Sequence, residues 1–146
     1  MGKGCIIYGM KRIGFITTNK VLAQSLMTIM KNYPELDAEP FMFLDPGQAV
    51  VDAEVLKIDV AFIDVGNEVR DESGAVSPFC EELREVLPDC RILLFVSQDD
   101  KRACEAAVAT VREKAADDFV FYDSTLDYLF AKVLSLLKTS ENIFMI

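Results

Sequence analysis

Asp59-Val60-Ala61-Phe62-Ile63-Asp64 places four uncharged residues, mostly β-branched or aromatic, between two aspartates, with Gly66 and Asn67 close behind. A run this short makes no globular helix and suits a strand covered on both faces. The Asp64 carboxylate then leaves the sheet at its carboxyl end, where open α/β sheets keep their ligand sites.

The segments on either side repeat the pattern. Upstream, Arg12–Thr17 reads as a first strand, and Asn19 caps a helix whose Leu22, Ala23, Leu26, Met27, Ile29, Met30 and Tyr33 share one stripe before Pro34. Pro40–Leu44 reads as a second strand, and Asp45-Pro46 opens a helix through Ala49, Val50, Ala53 and Leu56. Downstream, a polar loop from Gly66 to Val76 leads to Ser77-Pro78, which predicts a capped helix with Phe79, Leu83, Val86 and Leu87 inward, ended by Pro88-Asp89. Arg91–Val96 is a fourth apolar strand, and Lys101–Ala116 a helix with Cys104, Val108, Val111 and Ala115 on one line. Asp118–Tyr122 is a fifth strand. Asp123-Ser124-Thr125 supplies the cap of a last helix reaching about Lys138.

Five strand–helix units with doubly apolar strands call for a parallel sheet covered on both faces. Right-handed crossovers give a flavodoxin-like, doubly wound (βα)5 domain with strand order 2-1-3-4-5. The expected organisation is a leader or extra edge strand over 1–10 (Cys5–Tyr8), a domain over 11–138 and a tail over 139–146. That tail ends on Ile143-Phe-Met-Ile146, a candidate docking segment or a strip packed on the last helix.

Composition narrows the function. The net charge of −9, from 24 acids and 15 bases, argues against nucleic-acid or anionic-membrane partners. No apolar run approaches the ~20 residues that span a bilayer, and the chain is expected in the cytoplasm. Cys5, Cys80, Cys90 and Cys104 show no CxxC spacing and are expected as reduced thiols, some of them buried. With no histidine in the chain, His-based triads, His zinc sites and histidine phosphotransfer are excluded on it.

On the sheet's carboxyl edge the loops bring together Thr17, Thr18, Asp64, Gly66, Ser97, Tyr122 and Asp123. A carboxylate ending strand three, a hydroxyl ending strand four and Asp117-Asp118-Phe119 entering strand five form a set. With it the chain resembles the receiver domains of two-component response regulators, from about Arg12 to Lys138. Asp59-Val-Ala-Phe-Ile-Asp64 matches the strand that carries the family's phosphoaccepting aspartate. Leu93-Leu-Phe-Val-Ser97 matches the strand ending in its Ser/Thr, and Ala116–Phe119 the turn before strand five.

The departures bear on function. The resemblance implies two acids after strand one to hold Mg²⁺, and here Thr17 and Thr18 stand there. It implies a lysine ending strand five, and here Tyr122 and Asp123 follow instead. Phosphoryl transfer to a carboxylate is mostly charge neutralisation and positioning, and Mg²⁺ needs hard anionic oxygens. Two unit charges ~4 Å apart repel by about 4 kcal/mol at an effective dielectric of ~20, nearly three decades in rate at ~1.4 kcal/mol per decade. Asp123 is expected to add one such charge. Glu68 or Asp71 as replacement metal ligands would be one rescue.

The expectation is thus a degenerate pseudo-receiver with no catalytic residue and no cofactor, Asp64 being structural or partner-binding. The alternative is a phosphorylatable receiver with Asp64 as phosphoacceptor and Mg²⁺ as its cofactor. A second alternative is a small-ligand binder at the strand edge, for which Thr17-Thr18-Asn19-Lys20 lacks the glycine of a phosphate-gripping loop. The partners implied are another signalling protein, a histidine kinase or effector, and a homodimer through helix four, strand five and helix five, where Tyr122 and Tyr128 lie. The acids Asp99-Asp100 and Asp117-Asp118 read as solvated helix and turn acids.

Overall fold

The computed structural model describes residues 10–142, with side chains through residue 138. The expected leader or edge strand at Cys5–Tyr8 and the tail Ile143–Ile146 lie outside the described residues. The strands are β1 Lys11–Ile16, β2 Ala38–Phe43, β3 Val60–Asp64, β4 Arg91–Val96 and β5 Asp118–Phe121. The helices are α1 Lys20–Met30, α2 Pro46–Leu56, α3 Ser77–Val86, α4 Lys101–Arg112 and α5 Leu126–Asn142, with 3-10 turns at Pro34–Leu36 and Asn67–Val69. All strands pair in parallel in the order β2-β1-β3-β4-β5, the flavodoxin-like arrangement expected from the sequence.

Two cores flank the sheet, sorted by the alternation of each strand. Ile13, Phe15, Val60, Phe62, Leu93, Phe95 and Val120 pack with α1 and α5. Ile16, Ala61, Ile63, Ile92, Leu94 and Val96 pack on the other face against residues of α2, α3 and α4. The sheet is tight enough that a Cβ on Gly14 would lie 2.5 Å from the Phe43 ring and force it to shift.

The caps largely follow the sequence. Asn19 Oδ1 accepts from the Leu22 amide at 3.0 Å, and Asp45 Oδ1 from the Gly47 amide at 3.0 Å. Ser77 does not cap α3. It is the first helical residue, and its hydroxyl donates instead to Glu113 Oε1 at 2.6 Å beyond the end of α4. Within Asp123-Ser124-Thr125 it is Thr125 that caps α5: its Oγ1 accepts from the Tyr128 amide at 3.1 Å.

Two helices differ from their expected extent. α5 runs to Asn142, and α4 stops at Arg112, four residues before Ala116. Of the line Cys104, Val108, Val111, Ala115, Val111 packs against the core and Ala115 is buried just beyond α4, but the fully covered side of the helix lies beside it. Ala103, Ala106, Ala107 and Thr110 are buried, while Val108 is 38% exposed. Small side chains let the helix backbone approach the sheet closely. A hydrogen bond from Thr110 Oγ1 to the Ala106 carbonyl, 2.6 Å, satisfies the hydroxyl on that face. Cys80 and Cys90 are buried free thiols, each pushed up to about 12 chiefly by burial, and Cys104 is half-buried.

Candidate functional site

The period of two along each strand builds the site. Thr17 follows Ile13 and Phe15, Asp64 follows Val60 and Phe62, and Tyr122 follows Val120, so all three continue the face shared with α1 and α5. Beneath them runs a row of rings: Phe15–Phe62 at 5.4 Å between centroids, Phe62–Phe95 at 5.0 Å and Phe95–Tyr122 at 4.5 Å. The Tyr122 amide donates to the Val96 carbonyl at 2.9 Å, fixing the root of the side chain beside β4. From there the ring leans over Phe95, whose register partner on β3 is Asp64.

Both oxygens of Asp64 receive a hydroxyl. Thr17 Oγ1 donates to Oδ2 at 2.7 Å, and the Tyr122 hydroxyl donates to Oδ1 in a short hydrogen bond. Thr17 is only 4% exposed, and its oxygen also accepts the Asn19 amide at 3.0 Å, which ties the cap of α1 to Asp64. Burial, and then the hydrogen bond to Asp64, raise the Tyr122 phenol well above its ordinary value, with Asp100 and Glu68 adding to the effect.

Of the residues expected together, the structure joins Thr17, Asp64 and Tyr122 in direct contact. Thr18 is exposed at the bend after β1. Ser97 serves its own turn: its Oγ accepts the Asp99 amide at 3.3 Å, and its carbonyl accepts from the Asp100 amide and the Cys104 thiol. Gly66 donates its amide to the Asp64 carbonyl at 3.0 Å, and Glu68 Oε1 would lie 2.8 Å from a Cβ placed on it. Asp123 is exposed and makes no hydrogen bond or ion pair among the described residues. The negative charges that add to the raised Tyr122 pKa are those of Asp64, Asp100 and Glu68.

The acids of the neighbouring loops have other work. Asp71 accepts the Ser73 and Ala75 amides and the Ser73 hydroxyl, and these bonds lower its pKa. Asp100 is not simply solvated, since Oδ1 caps α4 through the Ala103 amide and Oδ2 lies 3.7 Å from Arg70. Among the described residues no three acidic, cysteine or histidine side chains gather as a metal site. The residues around Asp64 do not fit a Mg²⁺ ion of the receiver kind. One carboxylate, with a hydroxyl already donating to each oxygen, offers too few hard anionic ligands.

There is little open space here. The gap beside Asp64, walled by Thr17, Leu22, Leu26 and Phe95, measures about 10 Å³, roughly the room one water needs.

The fold is that of response-regulator receiver domains. A two-component response regulator from Clostridium difficile superposes with a TM-score of 0.70 at 18% identity, over 88% of this chain and 97% of that one. A CheY-like receiver domain protein from Methanospirillum hungatei JF-1 gives 0.73 at 13% identity, over 91% and 98%. The signal receiver domain of a putative Luxo repressor protein from Vibrio parahaemolyticus gives 0.75 at 15% identity, over 93% and 96%. No protein-family model matches the sequence, and no curated protein matches it. Among the described residues no helix is long and apolar enough to cross a membrane.

Proposed function

We propose that this chain is a receiver-like signalling domain that works by binding another protein and does not accept a phosphoryl group on Asp64. One observation carries the proposal: each Asp64 oxygen is the acceptor of a neutral hydroxyl, from Thr17 and from Tyr122. A phosphoacceptor must present a free oxygen to an incoming anion, with cations placed to offset the charge that builds up. At Asp64 no ion pair exists among the described residues, and the Tyr122 hydroxyl already occupies Oδ1. The third possibility, a small ligand at this edge, has against it a gap of about 10 Å³.

The partner surface we favour is the face formed by α4, β5 and α5, where Val108, Tyr122, Leu126 and Tyr128 are 38–52% exposed. Aromatic side chains with one polar end are the residues that anchor protein interfaces.

The experiment is incubation with acetyl phosphate and Mg²⁺ followed by intact-mass measurement. The expected spectrum shows unmodified protein. A phosphoryl adduct present in the wild type and missing in Asp64→Asn would overturn the proposal and establish the phosphorylatable alternative.

A further inference from the structure

An open cavity lies at the other end of the sheet. It is a cleft of about 580 Å³ along the amino ends of the strands, bordered by Lys11 at the start of β1, Asp59 before β3, Arg91 at the start of β4 and Asp117 before β5. Its rim adds Lys57 from the end of α2, Arg84 from α3, and Leu87, Pro88 and Asp89 from the loop into β4.

The charge of this cleft opposes that of the protein. Lys11, Lys57, Arg84 and Arg91 face Asp59, Asp89 and Asp117, a surplus of one cation on a chain of net charge −9. The surplus is not evenly spread. Asp117 is shared by both guanidinium groups, Arg84 at 2.5 Å and Arg91 at 3.2 Å, and also takes the Ile92 amide at 2.7 Å. Arg84 Nε is shut off from solvent and finds no acceptor among the described residues, so donors outnumber acceptors. Asp59 spends one oxygen on the Arg12 amide at 2.8 Å. Lys11 and Lys57 are in no ion pair among the described residues.

We propose that the amino-edge cleft binds a small phosphomonoester. Two uncommitted ammonium groups match a dianion better than a single carboxylate, and a phosphomonoester carries close to two charges at neutral pH. Leu87 and Pro88 offer an apolar wall for a compact ring. The Asp89 carboxylate, which makes no hydrogen bond or ion pair among the described residues, accepts from a hydroxyl or amine on that ring. Low-dielectric walls concentrate the field of such a site, so it attracts anions that the rest of the surface repels.

The test titrates the isotopically labelled full chain with adenosine 5′-monophosphate, adenosine and inorganic phosphate while amide resonances are followed. The nucleotide is expected to shift the amides of Ile58, Asp89, Cys90 and Arg91 saturably. Inorganic phosphate should bind more weakly, and adenosine should leave those amides unmoved. The double variant Lys11→Gln, Lys57→Gln removes two solvent-facing charges and should weaken nucleotide binding by about tenfold or more, the loss expected for ~1.4 kcal/mol. The proposal is overturned by no saturable shift at millimolar nucleotide, by equal binding of adenosine, by unchanged affinity in the double variant, or by shifts centred on Asp64 and Tyr122.

Discussion

Tyr122 crosses β4 to set its hydroxyl on Asp64, with its ring against Phe95 as the fulcrum. The contact spans 58 residues of sequence and joins the loop after β5 to the tip of β3. It holds only while the phenol keeps its proton, since a phenolate beside a carboxylate would replace a hydrogen bond with repulsion.

The sign of the pH effect follows. The folded-state pKa of Tyr122 is raised above the ordinary value of 10.0, so the fold binds this proton more tightly than the unfolded chain does. The stabilisation is complete below pH 10 and is lost as pH rises from there through the raised folded value. Chemical denaturation at increasing alkaline pH should show wild-type stability falling more steeply than that of Tyr122→Phe. Absorbance titration should show Tyr122 as the last tyrosinate to form, and earlier in Asp64→Asn. Parallel alkaline slopes for wild type and Tyr122→Phe would refute the contact.

Thr17 holds the other oxygen from a buried position, and its loss strands two groups at once. Thr17→Val keeps the shape but leaves the Asn19 amide and Asp64 Oδ2 without the hydroxyl. A destabilisation of about 1–3 kcal/mol is expected in urea unfolding, the range for orphaned buried partners. The exposed neighbour serves as control, and Thr18→Val should stay within ~0.5 kcal/mol.

Asp117 is the knot of the amino edge. It sits between Arg84 and Arg91 and caps the Ile92 amide, with its side chain 18% exposed. Asp117→Ala leaves two partly buried guanidinium groups with no counter-charge and should destabilise by about 3 kcal/mol. Asp123→Ala, at a solvated position, should be near neutral. Equal effects of the two in thermal or urea melts would dismiss the network as a stabilising element.

The order of the strands was legible from five strand–helix units joined by right-handed crossovers, and the convergence of Thr17, Asp64 and Tyr122 from the period of two along each strand. Doubly apolar runs fix a parallel sheet, and a period of two carries Phe62 to Asp64 and Val120 to Tyr122 on one face. What the sequence hid was partnership. Nothing local distinguishes Asp117, bound by two arginines 33 and 26 residues earlier, from Asp123, bound by nothing among the described residues. The solvated reading of Asp117-Asp118 fails for the same reason, because Asp118 meets Lys132 at 2.8 Å only once α5 has packed. Ser77-Pro78 looks like a cap and start, yet Glu113, just past the end of α4, claims the hydroxyl.

The fully buried side of α4 carries small residues, which hydrophobic patterning does not single out. Cys104, Val108 and Val111 are its larger apolar residues, but the fully buried line is Ala103, Ala107 and Thr110. Ala103, Ala106 and Ala107 join the core between α4 and the sheet. Ala107, with no exposed surface, is the position where this matters most. Ala107→Leu should therefore destabilise by about 1–3 kcal/mol through overpacking, although leucine is the better core residue by transfer energy. Val108→Leu, on the exposed side, should change stability by less than ~0.5 kcal/mol. Urea midpoints of the two variants decide between the faces: were Val108→Leu the damaging change and Ala107→Leu the harmless one, α4 would have to be turned by about one residue, ~100°, and the buried alanine line would be wrong.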